Sequence, residues 1–380
     1  MLIRNVELAS PFAIAPMAGM TDTAFRRLVK RHGGCGLVVT EMVSSEGLVR
    51  GIDRTLEYAE YTEEERPISI QIFGGDPEKM AAAAQIVEGM GADIVDVNMG
   101  CPVQKIARHN AGCGLMREPA HAATVIAAMV KAVKIPVTVK MRAGWNDDQK
   151  NAPTLARMVQ DAGAAAVAIH GRTAEQSYSG SADWDLVAAI ADALAIPVFG
   201  SGDCVEPAQI IERLRSGVAG VLVGRGVLRN PWILAQAEDI AAGRPPREVS
   251  MADRGRFLLD YIELLQNERV HEGKGFRHVA PGTVAPGTMA PGTMALGTVA
   301  PGTVAPGTMA PGTVAPGTVA PSRRSHDRWV VNKIRALGSW YTKGLDNGSH
   351  LRTAINSADS LPALRDIIGG FFLDVRIIVA

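Results

Sequence analysis

The run IVDVNMG (94–100) is one of eight short Val- and Ile-rich stretches that set the fold of this chain. The others, in chain order, are FAIAPM (12–17), GLVVTEM (36–42), ISIQIFG (68–74), VTVKMRAG (137–144), AVAIHGR (166–172), PVFGSGD (197–203) and GVLVGRG (220–226). Nearly continuous β-branched runs are typical of strands buried on both faces of a parallel sheet. Helix-like stretches such as 76–91 and 151–163 separate them. Eight such units in about 240 residues predict an α/β fold, a (β/α)8 TIM barrel.

Polar or small residues gather where the apolar part of each run ends. They include Glu41, Gln71, Asn98, Lys140, Arg142, His170, Arg172, Asp203 and Arg225. Since the carboxyl ends of barrel strands form the mouth that carries the chemistry, this pattern predicts a functional site there.

Beyond the barrel, three stretches, 251–270, 329–345 and 360–372, predict a small C-terminal helical domain. It is interrupted by a five-residue unit, x-A-P-G-T, that runs eight times from Val279 to Thr318, with Leu296 once in place of proline. Proline at every fifth position forbids a helix, and the unit has too little apolar and no charged surface to fold, so the composition predicts disorder. We therefore expect domains at 1–245, 246–278 and 322–380, with the repeat at 279–321 as an insertion.

Composition excludes several classes of protein. The chain has 380 residues, 47% of them hydrophobic, and 39 Lys and Arg balance 39 Asp and Glu, so no global basic field attracts nucleic acid. Its cysteines, Cys35, Cys101, Cys113 and Cys204, lack the spacing of a zinc site or a disulfide scaffold. The sequence predicts no signal peptide and no membrane-spanning run, and we expect a cytoplasmic monomer without a membrane or protein partner.

The last two barrel strands end in phosphate-binding patterns. Ser201, Gly202 and Asp203 follow the seventh run, and Gly224 and Arg225 follow the eighth. Loops at these places of a barrel frequently bind phosphate through backbone N–H groups, and Arg225 would add a charge-assisted pair. Glycines that serve only tight turns are the alternative.

Three side chains from the third, fifth and sixth runs, Gln71, Lys140 and His170, are expected to point into the mouth. A lysine inside an apolar barrel needs an anionic partner, and a reduced flavin ring is one. A salt bridge from Lys140 to Glu41 or Asp96, and a core role for His170, remain alternatives.

Cys101 lies on the loop NMGCP after the fourth run, where a thiol could act as an acid toward a carbon centre. A small buried cysteine is the alternative, and it is the reading that we adopt for the other cysteines.

At these residues the sequence resembles the bacterial tRNA-dihydrouridine synthases. The matching segments are APMAGMTDTAFR (15–26), QIFGGDP (71–77), DVNMGCPVQKIARHNAGCGLM (96–116), VKMRAGW (139–145), IHGRT (169–173), SGD (201–203), VGRG (223–226), KGFRH (274–278), SWYTKG (339–344) and SHLRTAINSADS (349–360). The resemblance covers nearly the whole chain except the repeat.

The resemblance implies an FMN-containing barrel and a helical domain that together bind tRNA and reduce the C5=C6 bond of a D-loop uridine. NADPH, or NADH, reduces the flavin, hydride passes from the flavin to C6, and Cys101 protonates C5. The residues expected to hold FMN are Pro16, Met17, Ala18, Gln71, Lys140, His170, Ser201, Gly202, Asp203, Gly224 and Arg225. Asn98, Arg142 and Arg172 are expected to contact the substrate, and no metal is implied.

Two positions depart from the family pattern. Ser201 stands where the family usually has Asn, and residues 335–337 are Arg-Ala-Leu where a basic stretch is usual. Residues 322–352 nevertheless hold seven Lys and Arg against two Asp, a net charge of +5. Because phosphate contacts need charge more than identity, we expect tRNA binding to be retained; a solvated helix face is the alternative.

Two other functions stay open at this point. An FMN barrel that reduces a free pyrimidine would not need the helical domain, and activity on a free base would identify it. A tRNA-binding protein without catalysis would lack bound flavin.

Overall fold

The computed structural model describes residues 1–107, 110–270 and 323–373, and within them the chain forms eleven strands and fifteen α-helices. The strands are β1 Leu2–Ile3, β2 Val6–Glu7, β3 Phe12–Ile14, β4 Val38–Val39, β5 Val43–Ser44, β6 Ile68–Phe73, β7 Ile94–Met99, β8 Val137–Arg142, β9 Ala166–His170, β10 Val198–Ser201 and β11 Gly220–Val223. Every one of the eight runs contains a strand.

The eight barrel strands form one parallel sheet in the order β3-β11-β10-β9-β8-β7-β6-β4, with β5 also paired to β6. The first and second barrel strands, β3 and β4, meet through a parallel bridge between Ala13 and Leu37. The sheet is therefore nearly closed, and the predicted (β/α)8 barrel is confirmed.

Strand alternation sorts the side chains between the barrel interior and the helices outside. In β8, Val137, Val139 and Met141 belong to the apolar core between strands and helices, whereas Thr138 and Lys140 belong to the opposite, interior face. The interior is apolar toward the amino ends of the strands, where Phe199 and Leu222 pack with the β1–β2 hairpin. Polar side chains are thereby concentrated at the carboxyl ends, which form the mouth.

The barrel helices alternate with the strands. They are α1 Thr23–His32, α2 Ser45–Val49, α3 Asp53–Glu57, α4 Pro77–Gly89, α5 Gln104–Ala107, α6 Pro119–Ala132, α7 Ala152–Asp161, α8 Trp184–Ala193, α9 Pro207–Leu214, α10 Arg225–Arg229 and α11 Ile233–Ala241. Asp22 and Asp76 cap α1 and α4 by accepting hydrogen bonds from first-turn N–H groups, and Pro77 supplies the fixed φ that suits a first helical residue.

Four helices follow the barrel: α12 Met251–Val270, α13 Arg323–Tyr341, α14 Gly348–Ser357 and α15 Leu361–Phe372. An aromatic cluster joins them to α1. Phe257 of α12 stacks on Tyr341 of α13 at 5.6 Å and meets Phe25 of α1 edge-on at 6.1 Å. Tyr261 donates a hydrogen bond to Asp22 Oδ2 at 2.8 Å, so the apolar contact also has a polar anchor. The predicted helical domain is confirmed, and it packs directly on the barrel.

Two details differ from the sequence expectation. Helix α13 begins at Arg323 rather than near 329 and ends at Tyr341, because Gly344 adopts a positive φ of 81° in the turn that follows. Helix α14 lies where we predicted no helix, since its polar composition hides the buried pair Leu351 and Ile355. The segment KGFRH (274–278) and the repeat (279–321) lie outside the described residues. No helix among the described residues is long and apolar enough to cross a bilayer.

Candidate active site at the barrel mouth

A cavity of about 620 Å³ opens at the carboxyl ends of the barrel strands. Every predicted site residue except Arg172 lines it: Pro16, Met17, Ala18, Gln71, Asn98, Cys101, Lys140, Arg142, His170, Ser201, Gly202, Asp203, Gly224 and Arg225. These residues come from seven of the eight strand ends, and the barrel brings them together because parallel strands all end on the same side.

A chain of hydrogen bonds runs through buried side chains to the Cys101 loop. Gln71 Nε2 donates to Asp96 Oδ2 at 2.7 Å, and Gln71 Oε1 accepts from Asn98 Nδ2 at 2.7 Å. Asn98 Oδ1 in turn accepts from the N–H groups of Gly100 and Cys101, at 3.1 and 2.9 Å. Polar side chains of two neighbouring strands, β6 and β7, thus fix where the loop turns and where Cys101 begins.

The Cys101 thiol differs from the other three cysteines. Cys35, Cys113 and Cys204 are buried, and burial raises their thiol pKa to about 11, 12 and 12. Cys101 is partly exposed, and burial raises its thiol pKa above the ordinary value of 9.0, against the opposing influence of the Val103 backbone and Arg142. It therefore carries its proton at neutral pH, which suits an acid and not a nucleophile.

Lys140 has no hydrogen-bond or ion-pair partner among the described residues. Both carboxylates named as alternative partners are engaged elsewhere: Asp96 accepts from Gln71 and Thr138, and Glu41 accepts from Gly19 N and lies 3.6 Å from Lys333 Nζ. Burial, with Arg142 beside it, lowers the pKa of Lys140 to about 8. Asp96 opposes this shift from a distance but forms no ion pair with Lys140. The alternative of a buried salt bridge for Lys140 is therefore wrong, and its ammonium faces the cavity unpaired.

His170 ends β9 and is held as a neutral imidazole. Burial and the nearby cations Lys140, Arg142, Arg172 and Arg225 lower its pKa to about 2. Its Nε2 lies 3.4 Å from Nη1 of Arg172. Because a guanidinium only donates, Nε2 is the acceptor and Nδ1 carries the proton.

The seventh and eighth strand ends form the other side of the cavity. Gly202 and Asp203 both have positive φ, 126° and 53°, so the loop turns sharply at the mouth. Asp203 accepts a bidentate contact from Arg172 Nη2 at 2.7 and 2.8 Å and lies 3.5 Å from Arg225 Nη2. Gly224 precedes α10, and a Cβ there would meet only Met17 and Ala15 at ordinary contact distances, 3.5 and 3.8 Å.

The structure does not bring Arg172 to the cavity. Its side chain is 2% exposed, and besides Asp203 it donates to the carbonyl oxygens of Ser179 and Gly180 at 3.0 and 2.6 Å. It holds the 173–183 loop against the Asp203 turn. Its geometry is that of a positioning residue, not of the substrate contact that we expected.

Sequence reasoning missed two aromatic residues of the cavity. Tyr178 is 59% exposed, and the guanidinium carbons of Arg225 and Arg142 lie 4.8 and 5.8 Å from its ring centre. Trp340 comes from α13, with Lys343 Nζ 4.0 Å above its ring. Tyr178 lies in a polar loop without a strand signal, and Trp340 stood only in the segment 339–344 that resembles the family, so neither drew attention as a mouth residue.

Helix α13 also contributes to the rim. Lys333 Nζ lies 2.9 Å from Asp22 Oδ2 and donates to Gly19 O at 3.0 Å. Burial raises the pKa of Glu41 and the carboxylates raise that of Lys333. Lys333 was among the seven cations counted as available to RNA phosphate, and in the structure it is engaged with the barrel.

The residues present fit a flavin. A cavity of about 620 Å³ falls within the range of roughly 300–1,000 Å³ typical of ligand sites. The unpaired Lys140 supplies a charge for an electron-rich ring, and Arg225 with the Gly202 and Gly224 turns supplies donors for a phosphate. No group of three or more His, Cys, Asp and Glu within the described ranges is placed to hold a metal ion.

Fold and site define a barrel enzyme with a C-terminal helical domain and a mouth built for an anionic cofactor beside a protonated thiol. The sequence profile of the family described as "Dihydrouridine synthase (Dus)" matches residues 13–285. The chain therefore belongs to the dihydrouridine synthase family.

Three relatives that are named as dihydrouridine synthases agree with this assignment. A "Probable tRNA-dihydrouridine synthase" of Rickettsia conorii is 41% identical over 266 residues, 69% of this chain and 80% of that protein. One of Rhodobacter capsulatus is 43% identical over 265 residues, covering 69% and 81%. A "tRNA-dihydrouridine synthase B" of Xanthomonas axonopodis pv. citri is 41% identical over 267 residues, covering 70% and 80%.

A solved nitroalkane oxidase of Streptomyces ansochromogenes shares 20% identity with a TM-score of 0.38, covering 65% of this chain and 70% of that chain.

Proposed function

We propose that this protein is a flavin-dependent tRNA-dihydrouridine synthase that reduces the C5=C6 bond of uridines in the D-loop of tRNA. One observation carries the proposal: a protonated thiol, Cys101, and an ammonium without an ion pair, Lys140, face the same cavity at the mouth of a barrel of this family.

FMN is the cofactor that the cavity residues would hold, with Lys140 and Gln71 toward its ring and Ser201, Gly202, Gly224 and Arg225 toward its phosphate. Pro16, Met17 and Ala18 would form the adjoining wall, His170 would contribute a neutral imidazole, and the Asp203 backbone would join the phosphate loop. When bound, the flavin supplies the hydride chemistry of the reaction. Gln71 retains one N–H and one lone pair after its bonds to Asp96 and Asn98, so it can still contact the ring.

Cys101 is the proposed acid that delivers a proton to C5 of the uridine. Its raised pKa keeps the thiol protonated, and the Asn98 carbonyl fixes the backbone on which it is carried. Arg142, whose guanidinium donates to Gly100 O at 2.8 Å, holds the same loop from the other side and lines the cavity where a substrate carbonyl would lie.

The helical domain is the proposed second contact for tRNA. Trp340 lines the cavity and Lys343 lies exposed on top of it, so a nucleotide that enters the mouth meets both domains. Residues 1–245 would form the catalytic domain, and residues 246–278 and 322–380 the RNA-binding domain. NADPH as reductant, a monomeric state and a cytoplasmic location complete the proposal, on the family resemblance.

The test uses purified, flavin-loaded protein and an unmodified tRNA transcript with NADPH. We expect dihydrouridine to form, detected as a mass increase of 2 Da on a single uridine nucleotide. Cys101→Ala should retain flavin and its reduction by NADPH, because neither uses the thiol, while dihydrouridine formation falls by about 100-fold or more. Reduction of free uracil or orotate with none of tRNA would overturn the proposal, and near-normal turnover by Cys101→Ala would remove that residue from the mechanism.

A further inference from the structure

A second cavity, of about 600 Å³, lies outside the one described above and is lined by Met116, Arg117, Trp145, Asn146, Gln149 and Asn151. Its two walls are the segment that follows the Cys101 loop and the loop that follows β8. Both segments come after carboxyl ends of neighbouring barrel strands, so this cavity opens on the same face of the barrel as the mouth.

One wall of this cavity is a flat cationic stack. The guanidinium carbon of Arg117 lies 3.4 Å from the centre of the Trp145 indole ring. Arg117 is exposed, and no carboxylate or carbonyl among the described residues accepts a hydrogen bond from it. The donors around the rim of its guanidinium and its outer face are therefore available to a ligand.

Two amide oxygens of the same cavity are hydrogen-bond acceptors, in contrast to the donors of Arg117. Oδ1 of Asn146 and Oδ1 of Asn151 are buried, and neither has a hydrogen-bond partner among the described residues. The orientation of Asn151 is fixed, because its Nδ2 donates to Met116 O at 2.6 Å. A buried acceptor without a donor is unfavourable, so a shift of these side chains that presents the oxygens to a ligand with N–H or O–H groups would be favoured.

The charges nearby argue against a phosphate as the anchor. Asp147 and Asp148 are exposed beside Asn146, Glu118 follows Arg117, and Lys150 lies 3.4 Å from Asp147. This acidic rim would repel an anion, whereas it would not repel a neutral base. Stacking on aromatic and guanidinium planes together with amide contacts to base edges is the usual recognition of unpaired RNA bases.

We propose that this second cavity binds one unpaired base of the tRNA loop, beside the uridine in the active site, with its face on the Arg117–Trp145 stack and its N–H groups toward Asn146 and Asn151. The inference rests on the proposed function and adds a subsite to it. Occupation of both cavities at once would fix which uridine of the loop reaches the flavin.

The first experiment compares Trp145→Leu and Arg117→Gln with the parent protein. Loss of base stacking should lower kcat/KM for tRNA by about 5- to 150-fold while flavin reduction by NADPH without tRNA is unchanged. Arg213→Gln is the matched control, since Arg213 also lies over a tryptophan, Trp184, at 5.3 Å, and lines neither cavity. Thermal melting of all variants shows whether the fold is intact.

The second experiment identifies the base. Transcripts with a single abasic residue at each unpaired D-loop position are bound to parent and Trp145→Leu protein, and affinities are measured by fluorescence anisotropy. We expect one position, other than the target uridine, at which base removal weakens binding to the parent and not to the variant.

Equal sensitivity of parent and variant at every position would overturn the subsite, and so would a fall in kcat/KM no larger than that of Arg213→Gln. A raised KM for NADPH in Trp145→Leu would assign the cavity to the reductant and overturn it as well. In each of these outcomes the parent enzyme would still be active on tRNA, so the proposed function would stand. Absence of dihydrouridine with the parent protein would instead be the failure of the proposed function.

Discussion

At the level of single residues, Lys140 shows how a group that serves function can lower the stability of the folded protein. An ammonium with a pKa near 8 inside a barrel is held there against its tendency to lose its proton. Such perturbed groups are frequent at functional sites because a ligand, not the fold, supplies the missing partner.

Replacing Lys140 by Met should stabilise the apoprotein and weaken flavin binding. The pKa of Lys140 lies near 8 in the folded state and near its ordinary 10.5 in the unfolded chain. The unfolded state therefore binds more protons between these pH values, and the stability of the parent apoprotein rises with pH across that window. Below pH 8 Lys140→Met should gain at most about 3 kcal/mol.

Thermal melts of both apoproteins at pH 7 and pH 10 check this first part, and the difference between them should shrink at pH 10. Flavin titration checks the second part. Affinity should fall by about 10- to 150-fold, the worth of a hydrogen bond to a charged group. Unchanged affinity would remove Lys140 from the cofactor site.

Asn98 supports a second prediction at this scale. Asn98→Ala removes the acceptor for the N–H groups of Gly100 and Cys101, at about 1 kcal/mol for each bond. Dihydrouridine formation should fall by about 10- to 30-fold while flavin reduction persists, because the proton donor is misplaced and the hydride half-reaction does not use it. Asn98→Asp keeps the acceptor but loses the donor to Gln71, and should retain more turnover than Asn98→Ala. Stopped-flow reduction beside a tRNA assay measures both; the opposite ranking would show that the Gln71 contact matters more.

At the level of elements, α13 joins the helical domain to the mouth of the barrel. It carries Trp340 into the cavity wall and Lys333 into contact with Asp22 and Glu41. Within the barrel, Arg172 likewise links two segments, because it connects the 173–183 loop to the Asp203 turn. Both contacts are between segments far apart in the sequence.

Lys333→Met should destabilise the protein by about 2–3 kcal/mol, because the nearly buried Glu41 and Asp22 would lose their cation. The pKa of Lys333 is raised in the folded state, so its contribution is present at neutral pH and is lost as pH rises through that pKa. Denaturant unfolding at pH 7 measures the change.

Two further variants make that result specific. Lys333→Met combined with Glu41→Gln should recover part of the loss, since the amide needs no counter-charge. Arg256→Met removes an exposed pair with Asp253 and should cost no more than about 0.5 kcal/mol. A loss equal to that of Arg256→Met would mean that the Lys333 pairs contribute little to the domain contact.

At the level of the whole molecule, the main helix contacts between barrel and helical domain among the described residues are those of α1 with α12 and of α10 with α13. The repeat at 279–321 falls between α12 and α13 in the sequence and carries no charge and no aromatic residue. Helices α12 and α13 pack on each other through Phe257 and Tyr341, so their contact does not depend on the length of the chain that connects them.

Deleting residues 279–321 should leave the melting temperature nearly unchanged or raise it slightly. Shortening a connection changes its closure free energy by only about 0.6 kcal/mol for each halving of length. Flavin affinity should stay constant, and turnover of tRNA should be equal or higher. Calorimetry and the tRNA assay test this on the deletion variant; a large fall in melting temperature would mean that the repeat packs on the protein.

The sequence by itself determined the barrel and the residues at its mouth. The residue period and composition of runs such as IVDVNMG predict strands. Strand direction then places Gln71, Lys140 and His170 at the carboxyl end of the barrel, and no knowledge of their contacts is needed. Local chemistry also distinguished Cys101, because its loop position follows from the strand before it.

Tertiary structure alone decided which of these side chains are free and which are engaged. Arg172 and Lys140 look alike as cations at strand ends, yet Arg172 is buried against Asp203 while Lys140 has no partner in the described chain. The same holds for Lys333, which is engaged with the barrel, and for Tyr178 and Trp340, which a loop and a distant helix bring to the cavity. The physical reason is that strand position follows from local pattern, whereas pairing and burial depend on distances between residues remote in sequence, which no local pattern contains.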